Sequence, residues 1–101
     1  MENPKPHLKN NEIGATCIRL ARKSIKNYLE TKEILKPDAA LPKFFFKTRK
    51  GVFVSLFYKE NNQLRGCIGT YLPTKNNLAE EIISNALGAA FRDPRFPPLT
   101  L

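Results

Sequence analysis

Residues 64–70 read Leu-Arg-Gly-Cys-Ile-Gly-Thr, and this stretch decides the predicted fold of the 101-residue chain. It follows the polar segment 59–63, which has the length and the asparagines of a hairpin turn. Residues 52–58 precede that turn and are rich in β-branched and aromatic side chains. The two runs therefore predict an antiparallel hairpin, with one strand over 52–58 and another over 64–71.

A helix is predicted on each side of this hairpin. From Ile13 to Leu29 apolar residues recur three and four apart, which indicates an amphipathic helix of about 17 residues. The second helix starts after Asn77, a capping residue, and stops before Asp93-Pro94. The predicted fold class is α+β: an antiparallel sheet with a hairpin core, perhaps with one extra strand, flanked by two helices on one face. The predicted core contains Ile25, Tyr28, Val54, Leu56, Ile68, Ile82 and Ala86.

The chain is basic, with 17 Lys and Arg against 9 Asp and Glu and a formal net charge of +8. Residues 1–50 carry 12 of the basic and 5 of the acidic side chains, so the excess lies in the first half. Nucleic acid, anionic membrane and acidic proteins are compatible partners, and a solvated surface is the alternative. The aromatic run 44–46, beside basic residues, fits either a base-stacking surface or core packing.

Cysteine usage and hydropathy indicate a compartment. Cys17 and Cys67 do not form a disulfide framework, so reduced thiols in an intracellular protein are expected. No apolar run approaches the roughly 20 residues that span a bilayer, and the N-terminus lacks a signal-peptide hydrophobic region. We expect a cytoplasmic protein without membrane association, or a nuclear one if the source is eukaryotic. Residues 1–12 are predicted to be a flexible arm and residues 13–101 the folded domain.

Cys67 is the candidate for a nucleophile or a substrate contact, because no other reactive side chain has a comparable setting. Strict alternation along the strand places Arg65 on the same face, where its charge favours the thiolate. Gly66 and Gly69 allow a ligand or another backbone to come close. The alternative is a buried, inert thiol.

Asp93 and Arg95 complete the set of candidate binding residues. Either they hold an anionic ligand at the mouth of the hairpin, or they form a local ion pair where the helix stops. The soft metal ligands are two cysteines and a single histidine without paired spacing, so no metal site is expected. The glycine spacing matches neither dinucleotide-binding nor P-loop signatures, and the sequence leaves the cofactor unknown.

Three motifs occur in order along the chain. They are Gly-Val-Phe-Val-Ser-Leu at 51–56, Leu-Arg-Gly-Cys-Ile-Gly at 64–69, and Ala-Ala at 89–90 followed by Arg-Asp-Pro-Arg-Phe-Pro-Pro-Leu-Thr at 92–100. With these motifs the chain resembles the AMMECR domain family, which includes protein A of the prokaryotic AmmeMemoRadiSam system. The resemblance extends from about Ile13 to the last residue.

The resemblance implies an α+β fold with an antiparallel sheet flanked by helices, and a functional site in the segment from Arg65 to Gly69. It also implies a Memo-type protein and a radical SAM protein as partners. The family has no established reaction, so whether the chain is an enzyme stays open. Family domains continue for roughly as much chain again. Residues 13–101 are therefore expected to be the N-terminal part of the domain, truncated at the C-terminus.

Three functional hypotheses follow. The first is an AMMECR-domain protein that binds or acts on a small anionic or nucleotide-like substrate, with Arg65 as anchor and Cys67 as nucleophile or contact. The second is a non-enzymatic adaptor that docks a partner protein by strand addition. The third is nucleic-acid binding through residues 43–50 and the first helix, which requires an affinity that falls steeply with salt.

Overall fold

A computed structural model of the chain describes residues 10–100. It confirms the α+β class and the two-stranded antiparallel hairpin. Of the predicted flexible arm, residues 1–9 lie outside the described residues and 10–12 belong to the first helix. The elements in chain order are α1 at Asn10–Thr31, α2 at Phe44–Lys47, β1 at Phe53–Phe57, β2 at Leu64–Gly69 and α3 at Leu78–Phe91.

The first helix is longer than the predicted segment at both ends. Within its first two turns, the Thr16 hydroxyl donates to the Glu12 carbonyl at 2.8 Å. Its end is marked by Lys32, which has a φ of 62°. The Lys32 amide donates to the Tyr28 carbonyl at 2.8 Å, which is the hydrogen bond of a left-handed helix end.

The aromatic run forms α2, a short helix that the sequence pattern did not predict. Pro42 precedes it and its carbonyl accepts from the Phe45 amide at 3.0 Å. Phe45 is fully buried, whereas Phe44 is 39% exposed. The three rings therefore do not share one exposed surface of the kind that base stacking needs, and core packing is the arrangement found at Phe45.

The hairpin contains a bulge that interrupts its alternation. Ser55 pairs with Cys67 and Leu56 with Gly66, but Phe57 pairs with Leu64. Arg65 is therefore the extra residue on β2. Both strands are shorter than predicted, ending at residues 57 and 69.

The third helix lies between α1 and the hairpin, and packs against both. The expectation that both helices cover one sheet face is therefore wrong for α1, which packs on α3. The reason is that α3 is apolar around most of its circumference, and such a helix is buried on more than one side. At the contact with the sheet, a Cβ on Gly66 would overlap the Ala89 carbonyl oxygen, so glycine permits the close approach of strand and helix.

The centre of the core lies between the helices rather than against the sheet. Among the predicted core residues, Ile82 and Ala86 are buried. Those half-buried are Ile25, Tyr28, Val54, Leu56 and Ile68. The main apolar cluster comprises Leu20, Phe45, Leu78, Ala79, Ile82, Ile83 and Leu87.

Candidate functional site

After α3 the chain turns back and runs beside β2. The Cys67 amide donates to Asp93 Oδ2 at 2.9 Å, and Arg65 Nη2 donates to the Pro97 carbonyl. The Leu99 amide donates to the Ala90 carbonyl at 3.0 Å, which ties the tail to the helix end. We call the region formed by Arg65, Cys67, Asp93, Arg95 and Phe96 the strand–tail site, because it lies where β2 meets the tail.

Asp93 is the best-connected side chain of this site. Besides the Cys67 amide, it accepts from the Arg95 amide at 3.0 Å, from Arg95 Nε at 3.1 Å and from Arg95 Nη2 at 2.8 Å. The Arg95 side chain first, and then the two backbone amides, hold the pKa of Asp93 well below its usual range, although burial opposes this. The local ion pair considered for these residues is present, and the link to β2 is an additional contact that the sequence did not reveal.

Arg65 is buried, with 7% of its surface exposed. Its Nη2 has the Pro97 carbonyl as partner, and its Cζ lies 5.6 Å from the centre of the Phe96 ring. Its Nη1 has no hydrogen-bond partner among residues 10–100, and within that range no carboxylate forms an ion pair with it. A buried cation without a counter-charge is costly, and Arg65 is such a group within residues 10–100.

A second cation lies beside the same aromatic ring. Arg95 Cζ is 5.4 Å from the centre of the Phe96 ring, and both guanidinium groups are within cation–π distance of it. Asp93 hydrogen bonds raise the pKa of Arg95 further, so this side chain stays charged. Since Asp93 balances Arg95, the uncompensated charge of the strand–tail site belongs to Arg65.

Cys67 is half-buried, and its sulfur accepts a hydrogen bond from the Ser55 hydroxyl at 3.3 Å. Its side chain and that of Arg65 have different neighbours, because the bulge at Arg65 interrupts the alternation that predicted a shared face. The second cysteine, Cys17, packs half-buried against the core. Burial raises the pKa of Cys17, which keeps it in the thiol form at neutral pH.

The two glycines of the segment are approached closely by the protein itself. Ala89 of α3 fills the position in front of Gly66, and the Phe53 ring lies where a Cβ of Gly69 would be. The sequence had left open whether a ligand or another backbone makes these approaches. In the structure, the backbone of α3 approaches Gly66 and the Phe53 ring approaches Gly69.

Glu81 is buried, which the sequence analysis did not predict. It is 0% exposed and accepts from Thr70 Oγ1 at 2.7 Å, from the Thr74 hydroxyl and amide at 2.8 Å, and from the Lys75 amide at 2.9 Å. Burial raises its pKa, but these hydrogen bonds outweigh burial and lower the pKa to about 2. The position of Glu81 in the sequence could have predicted this burial. Glu81 follows Leu78 by three residues and therefore lies on the apolar stripe of α3.

Membrane-spanning helices and metal-ligand clusters are both absent from the described part of the chain. From residue 10 to residue 100, no helix has the length and hydropathy to cross a bilayer. In the same range no three His, Cys, Asp or Glu side chains group as metal ligands would. The single histidine, His7, lies outside the described residues.

The sequence matches the model of one known protein family. The family model for AMMECR1 matches residues 18–101, which include both strands, α2, α3 and all five residues of the strand–tail site. The chain belongs to the AMMECR1 family. The resemblance noted from the three sequence motifs is thereby confirmed.

Relatives in the AMMECR1 family are longer than this chain. A Thermotoga maritima protein is 51% identical over 83 residues, which are 82% of this chain and 47% of the relative. A Clostridium acetobutylicum protein is 47% identical over 81 residues, or 78% of this chain and 17% of that protein.

A crystal structure of an uncharacterized protein from Pyrococcus horikoshii has the same fold. It superposes with a TM-score of 0.74 at 39% identity, covering 87% of this chain and 44% of that one. The chain therefore spans less than half the length of these AMMECR1 relatives, and what it contains is part of the family domain.

Proposed function

We propose that the strand–tail site binds a small anionic or nucleotide-like substrate, with Arg65 as the anchor. The observation that carries this proposal is the buried guanidinium whose Nη1 has no partner among residues 10–100. A phosphate or carboxylate oxygen would supply both the missing acceptor and the missing counter-charge. The net charge of +8 would raise the local concentration of such an anion.

Cys67 is proposed as the second substrate contact or as a nucleophile. Its amide is fixed by Asp93 and its half-buried sulfur lies beside the Ser55 hydroxyl, so the thiol is held one residue beyond Gly66 on the same strand. A contact role predicts that Cys67→Ala weakens binding of the anion. A nucleophile role predicts unchanged binding and lost turnover.

The test is a calorimetric titration with inorganic phosphate, and then with adenosine monophosphate, at constant ionic strength. Arg65→Gln should weaken phosphate binding at least about tenfold, because a hydrogen bond to a charged group is lost. Arg22→Gln is the matched control, since it removes the same charge from an exposed position of α1.

Equal affinity of Arg65→Gln and wild type for phosphate would contradict the proposal. Tighter binding of adenosine monophosphate than of phosphate supports a nucleotide-like substrate, whereas equal binding contradicts that part. Equal weakening in Arg22→Gln would show that only the overall charge matters.

Memo-type and radical SAM proteins are the partners that this proposal includes, because of the resemblance to protein A of the AmmeMemoRadiSam system. Affinity purification of the tagged chain with Memo-type and radical SAM proteins from the same genome tests it. A stable complex supports the partnership, and a clean failure to co-purify counts against it.

A further inference from the structure

A groove lies between the segment after α1 and one face of α3, and its volume is about 360 Å³. Its floor is hydrocarbon, because Leu35 is half-buried there and Ile83 and Leu87 belong to the buried core. Ile83 and Leu87 are four residues apart, so they lie on one face of α3. The volume is at the lower end of the roughly 300–1,000 Å³ that is usual for small-molecule sites.

One wall of the groove is an exposed apolar side chain on an anchored turn. Ile34 lines the groove and is 67% exposed. The turn before it is fixed by Asn27 Nδ2, which donates to the Glu33 carbonyl at 2.9 Å. The Glu33 amide also donates to the Thr31 hydroxyl at 3.0 Å. Hydrocarbon from a ligand would therefore cover Ile34 and pack against the floor at the same time.

Three cations line the groove beside this apolar surface. They are Lys36, Lys75 and Arg92, and all three are exposed. Within residues 10–100 none of them forms an ion pair. Among the described lining residues Glu80 is the one carboxylate, so cations outnumber it three to one. The groove thus combines hydrocarbon with an excess of positive charge, which is complementary to an amphipathic anion.

Two of these cations are anchored by hydrogen bonds. Arg92 Nη2 donates to the Ser84 carbonyl at 3.0 Å, which holds the guanidinium against α3. The backbone of Lys75 is fixed on both sides, because its amide donates to Glu81 at 2.9 Å and its carbonyl accepts from Arg49 Nε at 3.1 Å. Less of the chain therefore has to become ordered when an anion binds, which favours affinity.

We propose that this groove binds a single-chain amphipathic anion, whose acyl chain lies on the apolar floor and whose terminal carboxylate contacts Lys36, Lys75 and Arg92. Burial of the acyl chain supplies hydrophobic affinity, and the carboxylate accepts charge-assisted hydrogen bonds. The groove shares no residue with the strand–tail site. The proposal therefore does not depend on anion binding at Arg65.

Other occupants fit the groove less well. An extended peptide needs partners for its backbone amides, and Leu35, Ile83 and Leu87 offer only hydrocarbon. A nucleic acid strand binds largely by stacking on aromatic rings, and within residues 10–100 no aromatic side chain lines the groove. A second copy of the chain carries a net charge of +8 and is repelled by the lining cations.

The test is a titration of the isotope-labelled chain with sodium decanoate, followed through the backbone amide signals by NMR. The amides of Ile34, Ile83 and Ser84 should shift to saturation, whereas the amide of Cys67 in the strand–tail site should not. Hexanoate has the same charge but a shorter chain, so it should bind at least about tenfold more weakly. 1-Decanol has the same chain length without the charge and should bind at least about fivefold more weakly.

A substitution in the apolar wall tests where the acyl chain lies. Ile34→Asp should weaken decanoate binding at least about tenfold, since it removes an apolar contact and adds a like charge. Ile18→Asp is the control, because Ile18 is 57% exposed on α1 and does not line the groove. Circular dichroism of each variant checks that the fold is retained.

Substitutions of the lining cations test where the carboxylate lies. Lys36→Gln combined with Lys75→Gln should weaken decanoate binding about fivefold. The matched control is Lys26→Gln combined with Lys59→Gln, which removes the same charge from exposed positions outside the groove. This control should change the affinity by no more than about twofold, because charges far from the ligand are screened by salt.

Several results would overturn the proposal. Equal affinity for decanoate and hexanoate would mean that the acyl chain is not buried, and equal affinity for decanoate and 1-decanol that the cations do not take part. Equal weakening by Ile34→Asp and Ile18→Asp would place the ligand elsewhere. A peptide of alternating leucine and glutamate that shifts the same amides at lower concentration than decanoate would assign the groove to a protein partner instead.

Discussion

Glu81 and Arg65 are both buried charged side chains, one in the first turn of α3 and the other near the start of β2, and their surroundings differ. Glu81 accepts four hydrogen bonds from the segment that follows β2. Arg65 donates to one carbonyl, and its Nη1 has no partner within residues 10–100. The hydrogen bonds of Glu81 therefore tie α3 to the segment after β2, whereas a buried donor of Arg65 lacks an acceptor within residues 10–100.

Removing the carboxylate of Glu81 should have the largest effect on stability. Glu81→Gln can keep an oxygen toward the Thr74 and Lys75 amides, but its NH₂ then faces the Thr70 and Thr74 hydroxyls, and the negative charge that strengthens all four hydrogen bonds is lost. We expect a loss of about 2–3 kcal/mol in the free energy of unfolding, measured by urea denaturation at pH 7. The control is Glu80→Gln, a half-buried neighbour, and an equal loss in both variants would contradict the assignment.

The stability of the protein in acid should also depend on the Glu81 carboxylate. The pKa of Glu81 is lowered from 4.5 to about 2 in the folded state, so its contribution to stability is full above about pH 4.5 and is lost as the pH falls toward 2. The stability difference between wild type and Glu81→Gln should therefore narrow over that range. Urea denaturation at pH 7, 5, 4 and 3 measures it, and a constant difference would mean that the carboxylate is not the titrating group.

One of the four hydrogen bonds can be removed alone. Thr74→Val deletes the hydroxyl that donates to Glu81 but keeps the backbone amide of residue 74. The free energy of unfolding should fall by about 1 kcal/mol, because three donors remain. Thermal and urea unfolding should agree on this value, and a loss as large as that of Glu81→Gln would show that the four bonds act as one unit.

Replacing Arg65 should change stability much less than replacing Glu81. Arg65→Met loses the contact with Pro97 but also removes an unpaired buried charge, so stability without ligand should change by less than about 1 kcal/mol. Unfolding in phosphate-free buffer measures this. A loss comparable to that of Glu81→Gln would place Arg65 among the structural charges and weaken its proposed role as an anion anchor.

Local sequence patterns predicted the regular elements well because their causes are local. Runs of β-branched and aromatic residues around the turn located the hairpin, and Asn77 caps α3 by accepting from the Glu80 amide at 2.9 Å as expected. The bulge was not predictable, since it depends on how Arg65 and Gly66 fit against α3 and the tail. The apolar segment 44–46 became a short helix for a similar reason, because a tertiary core accepts Phe45 in that conformation.

By itself, the sequence determined the α+β class, the family and the segment that carries the candidate site, because these depend on periodicity and on short ordered motifs. Only the tertiary structure decided that Asp93 accepts a hydrogen bond from β2 and that Glu81 is buried with four donors around it. It also decided that Arg65 is buried with one donor that has no acceptor within residues 10–100. The physical reason is that each of these outcomes depends on groups that lie far apart along the chain, and whether a buried charge finds its partners is settled only when the backbone brings those groups together.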